Sequence, residues 1–200
     1  MRAQFLVGPG AVVAEILAFW VLFCAWATSE LYIGWRYRLP RGAETRDRGS
    51  RTLLVASVWT GVAAGFGCAI FLQGAAIRMG RHAIFALGLA LMLLGLVLRW
   101  CAISVLGRSF TVTVGICAEQ RVVERGPYQY VRHPSYTGSL LTIAGILLCC
   151  TNTLSLLAFL LPIAGYAYRI RVEERALIEG LGEPYRAYMR RTRRLIPFVL

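Results

Sequence analysis

Four long apolar blocks separated by arginine-rich segments constrain this 200-residue chain more than any other feature. A helix crossing the ~30 Å hydrocarbon core of a bilayer needs ~20 predominantly apolar residues. Residues 11–33 meet that need with Glu15 and Glu30 as their only charges, residues 53–72 carry no charge, and residues 84–106 carry Arg99 near their end. The fourth block, residues 135–168, is 34 residues long and is interrupted at Thr151-Asn152-Thr153. As one helix it would measure ~51 Å, too long for a single crossing, whereas two short helices meeting at Asn152 would reach ~22 to 26 Å each. The expectation is an all-α integral membrane protein with about five transmembrane helices. The first block is too long for a leader peptide and lacks a small-residue cleavage site, so it reads as a membrane helix.

Charge supports this reading. The chain has 22 basic and 10 acidic residues, every basic one an arginine, yet only 16% of residues are charged and the mean hydropathy is +0.60. A soluble domain of this size needs more charge to cover its surface, so the excess of +12 must be concentrated. That leaves a nucleic-acid binder or a membrane protein with basic loops, and no nucleic-acid-reading module is visible. With five crossings, 18 arginines fall on one side, in residues 34–52, 107–134 and the tail after Tyr168, while Arg2, Arg78 and Arg81 fall on the other. The positive-inside rule then predicts an outside N-terminus and a cytoplasmic C-terminus, with Trp35, Tyr37 and Trp100 as interfacial aromatics. The expected location is a bacterial inner membrane, since arginine use without lysine suggests a GC-rich genome.

The six cysteines are scattered, with no C-x-x-C pair, and read as small packing residues rather than a disulfide frame or metal site. Gly61-x-x-x-Gly65 is a close-packing motif for membrane helices. Gly65-Phe66-Gly67 superficially matches part of a nucleotide loop but lies in mid-membrane with no preceding strand, and no soluble βαβ unit is visible.

Polar chemistry gathers in residues 107–136 and 169–197. Pro134 is suited to the first turn of a helix, where a missing N–H costs nothing. Helix starts expose free N–H groups and partial positive charge, so Arg132, His133 and the neighbouring tyrosines there suit an anionic group such as a cofactor carboxylate. A plain helix cap with interfacial anchors explains the same residues. In the tail, Arg169 and Glu173 share a helix face, just past a membrane helix where ionisable groups must be solvated or paired. A surface ion pair, and arginines holding anionic lipid, are the structural alternatives.

Gly126-Pro127-Tyr128-Gln129-Tyr130-Val131-Arg132-His133-Pro134-Ser135-Tyr136-Thr137-Gly138 resembles the G-x-Y-x-x-x-R-H-P-x-Y-x-G signature of isoprenylcysteine carboxyl methyltransferases. Arg169-x-x-x-Glu173-Glu174-x-x-Leu177, then Gly182-x-x-Tyr185-x-x-Tyr188 and Ile196-Pro197, is similar to that family's C-terminus, and Arg99 with Leu106-Gly107-Arg108-Ser109-Phe110 fits its upstream region. The resemblance covers roughly residues 99–198. It implies a methyltransferase core over residues 99–200, preceded by variable transmembrane helices over residues 1–98, in one membrane-embedded domain. It also implies S-adenosyl-L-methionine as cofactor, held on the cytoplasmic side by a loop, the Arg-His-Pro turn and the helical tail. Carried over residue by residue, the cofactor contacts are Gln120, Arg121, Val122, Val123, Tyr128, His133, Pro134, Ser135, Tyr136 and Glu173. Glu174 is a possible replacement for Glu173. The catalytic position, which orients the acceptor's carboxylate, falls on Arg169, with Arg171 as a replacement.

The resemblance further implies a lipophilic or lipidated acceptor, isoprenylcysteine-like, entering sideways from the membrane. Membrane lipids are the other expected partners, with no nucleic acid. A hairpin around Asn152 is a candidate for shaping that access route. Methyl transfer from a sulfonium is an in-line displacement, and a carboxylate acceptor needs no general base; the protein's task is alignment and water exclusion. The same elements also resemble phospholipid and thiol methyltransferases and NADPH-dependent sterol reductases. The reductases usually show a Cys and a Lys-Tyr-Gly segment in the tail, where this chain has Leu177-Ile178-Glu179-Gly180-Leu181-Gly182.

Overall fold

The structure, a computed structural model, describes residues 9–38, 44–116 and 121–196. Seven α-helices account for most of the described residues: α1 (Pro9–Arg36), α2 (Ser50–Phe71), α3 (Arg81–Leu106), α4 (Pro134–Cys149), α5 (Thr153–Leu157), α6 (Leu160–Leu181) and α7 (Glu183–Arg191). Two short strands, β1 (Glu44–Thr45) and β2 (Gly115–Ile116), pair antiparallel. Gly10–Arg36, Ser50–Phe71, Arg81–Leu106 and Thr153–Leu181 are long and apolar enough to cross a membrane, and Pro134–Cys149 is a shorter apolar helix. The fourth apolar block therefore does divide near Asn152, but unequally. Its second arm does not stop at Tyr168: α6 continues to Leu181, carrying the polar tail outward as uninterrupted helix.

The outer faces are apolar. Leu17, Val21 and Leu31 of α1 are 61%, 67% and 72% exposed, a stripe that suits hydrocarbon and would be a liability in water. Tyr32 packs its ring 6.2 Å from Trp35 and 6.0 Å from Trp100, gathering aromatics at one end of α1 and α3. The five cysteines among the described residues are free thiols.

α3 and α4 form the tightest pair. Gly95 and Gly138 face each other across it: a Cβ on Gly95 would run into the Gly138 carbonyl and Thr142, and one on Gly138 into the backbone of Gly95 and Arg99. Between membrane helices such close approach is itself a source of packing energy. Gly61 and Gly65 work similarly, against Pro162 and Leu147 respectively, so the G-x-x-x-G motif seats α2 on α4 and α6. The charged groups Arg99 and Glu30 inside the bundle are paired, as hydrocarbon demands. Arg99 holds Glu30 of α1 at 2.7 Å and donates to Ser135 Oγ of α4 at 3.1 Å. Asn152 accepts from the N–H groups of Leu154 and Ser155 and donates to the Leu72 carbonyl at 2.9 Å, tying the α4–α5 turn to the end of α2. That turn lines neither of the two cavities described below. Its polar groups close the helix ends.

The opposite end is where the arginine-rich segments meet. β1 pairs with β2, and Val131 pairs in parallel with Arg193, so the segments after α1, after α3 and after α7 converge over the start of α4 and the polar half of α6.

Candidate active site

Gly126, at φ +57°, opens a short 3-10 turn (Gly126–Gln129) that delivers Arg132-His133-Pro134 to the start of α4. The chain after α7 clamps this turn from behind. The N–H of Arg132 donates to the Arg193 carbonyl at 2.7 Å and that of His133 to the Arg194 carbonyl at 3.0 Å. The Arg132 guanidinium donates to the carbonyls of Met189 and Thr192, filling the acceptors that the end of α7 leaves open. Glu174 is 4% exposed and collects three cationic or imidazole partners: Arg132 at 2.9 Å, Arg194 at 3.0 Å and His133 Nε2 at 3.4 Å.

In front of this clamp lies a cleft that is open to solvent on one side. Its polar centre is a relay of three side chains. The Tyr136 hydroxyl donates to Glu173 at 2.6 Å and accepts from Arg169 Nε at 3.2 Å. The His133 ring stacks on Tyr136 at 5.4 Å, and its Nδ1 lies 3.9 Å from Glu173. Val122, Val123, Leu177 and Leu181 supply an apolar wall. Tyr128, Tyr185 and Tyr188 form another. Burial, and for Tyr128 and Tyr185 also the charge of Glu173, pushes their phenols well above the ordinary range. They stay neutral, and Tyr188 donates to the Tyr128 carbonyl at 2.7 Å.

A second, mostly apolar cavity lies among the membrane helices, with Trp26, Val58, Trp59, Ile143 and Tyr166 in its wall and Glu30, Arg38, Arg51 and Arg99 at its polar part. The two cavities share Phe110, Thr111, Tyr136 and Arg169. Arg169 therefore stands at their seam. It is ion-paired with Asp47 and donates to Ser50 Oγ at 2.8 Å and to the Val112 carbonyl at 2.9 Å. Asp47 also accepts from the Arg51 and Val114 N–H groups at 3.1 and 3.3 Å. Burial alone would raise its carboxyl, but the Arg51 N–H, the Arg169 charge and the Val114 N–H outweigh that and hold it below the usual carboxylate range.

Arg121, Val122, Val123, Tyr128, His133, Ser135, Tyr136 and Glu173 all line the first cleft, and Arg169 lines both cavities. Gln120 lies outside the described residues. Pro134 and Glu174 are not in the wall: Pro134 starts α4, and Glu174 is spent on its cations. Arg171 is exposed and lines neither cavity, so of the two arginines Arg169 is the one at the seam. Asp47 was not foreseen. The available signal was an acid isolated among Arg46, Arg48 and Arg51, three residues ahead of the serine that begins a membrane helix.

The fold and the paired cavities define a class: helical membrane proteins in which a polar cleft at one end of the bundle opens onto an apolar chamber at membrane depth. Comparison with known proteins narrows it. Residues 87–179 match the model of the isoprenylcysteine carboxyl methyltransferase (ICMT) family. Protein-S-isoprenylcysteine O-methyltransferase B of Arabidopsis thaliana is 38% identical over 115 residues, covering 56% of this chain and 58% of the relative. The protein-S-isoprenylcysteine O-methyltransferase of Saccharomyces cerevisiae is 36% identical over 116 residues, covering 56% and 48%. The solved structure of the eukaryotic intramembrane Ras methyltransferase ICMT superposes with a TM-score of 0.54 at 28% identity, covering 74% of this chain and 52% of that one. The family model, these sequence relatives and this solved structure all carry the name of isoprenylcysteine methyltransferases. The chain spans about half to three-fifths of the length of these relatives.

Proposed function

We propose that this protein is a membrane-embedded methyltransferase that esterifies the carboxylate of a lipophilic acceptor, isoprenylcysteine-like in chemistry, using S-adenosyl-L-methionine. The observation that carries this reading is the position of Arg169, where an enzyme joining a water-soluble cofactor to a lipid-borne anion needs a cation.

The residues of the cleft fit the cofactor. Glu173 offers a carboxylate to its ammonium or a ribose hydroxyl, and Val122, Val123, Leu177 and Leu181 offer apolar surface to its base. His133 and the start of α4 face its carboxylate end. When bound, the cofactor supplies an electrophilic methyl group. The protein's own work is positional. Arg169 orients the acceptor anion, Tyr136 ties Arg169 to Glu173 so that acceptor and cofactor sides share one frame, and the buried tyrosines exclude water. The apolar chamber holds the acceptor's hydrocarbon. Its walls draw on α1 and α2, so we assign acceptor binding largely to residues 1–98 and the methyltransferase core to residues 99–200. We place the arginine-rich end at the cytoplasmic face of a bacterial inner membrane, following the positive-inside rule.

The test is labelled-methyl transfer by purified protein in nanodiscs, with N-acetyl-S-farnesylcysteine as acceptor. The expected product is a base-labile methyl ester. Transfer giving only base-stable product, or no transfer to any lipid-extract acceptor, overturns the reading.

A further inference from the structure

We propose that Asp47 is the resident counter-ion of Arg169, setting how strongly the seam discriminates an acid from its ester. This rests on the reading of Arg169 as the acceptor's anchor.

Asp47 lies outside the residues that match the family model and lines neither cavity, yet its carboxylate pairs with Arg169 from behind the seam. It is 9% exposed and Arg169 is 3% exposed. The pair is locked from both sides: Arg169 is also held by Ser50, Val112 and Tyr136, and Asp47 by the N–H groups of Arg51 and Val114. A buried guanidinium without a counter-ion is strongly unfavourable, and removing one member of a buried pair leaves the other uncompensated. Asp47 meets that need when no acceptor is bound. An arriving carboxylate thus meets a guanidinium whose charge is already balanced, and the gain from adding a second anion is reduced. The neutral ester product pays no such penalty. Asp47 is therefore a positioning and specificity-determining residue acting through Arg169, one that keeps an acid acceptor from being held so tightly that the site resists turnover.

Linkage fixes the sign of the test. Asp47→Asn keeps the shape and removes the charge, so a bound acid becomes the missing counter-ion. Affinities of N-acetyl-S-farnesylcysteine and its methyl ester are measured on nanodisc-embedded wild type and Asp47→Asn. The acid-to-ester affinity ratio is expected to rise about tenfold in the variant, the size of a close charge removed from a partly screened site. An unchanged ratio, or equal loss of both ligands as a purely structural role predicts, overturns the proposal. Asp47→Ala gives a second readout that needs neither activity nor acceptor. Acetate, but not acetamide, is expected to restore its thermal transition, with no effect on wild type; equal response to both refutes the counter-ion role. If wild type transfers no methyl group while acetate rescue succeeds, the methyltransferase reading fails and the counter-ion stands. If transfer succeeds and neither the ratio nor the rescue responds, the reverse holds.

Discussion

Tyr136 joins the two halves of the site through one hydroxyl, shared between Glu173 and Arg169. Hydrogen bonds to charged groups contribute about 1.5 to 3 kcal/mol each. Tyr136→Phe removes both while keeping the ring stacked on His133, so kcat/KM is expected to fall roughly 100-fold or more, together with a lower thermal transition. Glu173→Gln separates the two sides: calorimetry is expected to show weakened cofactor binding with acceptor binding retained, and equal cofactor affinity in both proteins rules out its role. Asp47 adds a pH dependence. Its folded carboxyl titrates below its ordinary value of 3.8, so its contribution to stability is complete above the unfolded value and is lost as pH falls through the folded one. The thermal-stability difference between wild type and Asp47→Asn is expected to be flat above about pH 5 and to shrink below about pH 4; a gap that widens in acid contradicts the assignment. Arg169 and Glu173 could be read from their i, i+4 spacing because a helix brings such residues to one face. Asp47 could not, because its partner lies 122 positions away and no local period encodes that contact.

The helical tail shows how a clamp is built from residues that look like ligands. Glu174 sits beside Glu173 in sequence, but successive helical residues point about 100° apart, so one faces the cleft and the other faces Arg132, His133 and Arg194. The pattern of apolar blocks announced the membrane helices, since a span can scarcely be built otherwise. It did not announce that α6 runs on to Leu181, because hydropathy ends where the apolar face ends, while the helix continues on paired charge. Arg132→Ala is expected to loosen the segment after α7, since it leaves Glu174 only Arg194 and His133 and uncaps two carbonyls. The loss is expected to stay below the ~3 to 5 kcal/mol of a buried charge left wholly uncompensated, read as a lower thermal transition and faster proteolysis after α7. Arg132→Lys preserves charge but not the fork that reaches Glu174 and the carbonyls together, and recovers only part of it.

Two cavities of different character meeting at one cation make the molecule a junction between solvents. The polar cleft is built from the segment after α3, the start of α4, the polar half of α6 and α7, the parts richest in signature residues, which is why its wall was largely legible. The mostly apolar chamber is built chiefly from α1 and α2, closed by Arg99 of α3, residues 110–112 and inward-facing residues of α4 and α6, and along α1 and α2 any large apolar residue serves the membrane equally well. Its walls could not be told from ordinary lipid-facing surface until the helices were packed. This division predicts separable damage. Val58 is buried in α2 and lines only the chamber, so Val58→Trp fills acceptor space without touching Arg169, Tyr136 or Glu173. The farnesylated acceptor's KM is expected to rise roughly tenfold, about 1.4 kcal/mol of lost binding. A shorter prenyl acceptor is expected to be affected less, and cofactor affinity to remain within twofold, on the order of the RT-scale scatter of such measurements. Loss of cofactor binding in this variant, or equal effects on long and short acceptors, contradicts the assignment of the chamber to acceptor hydrocarbon.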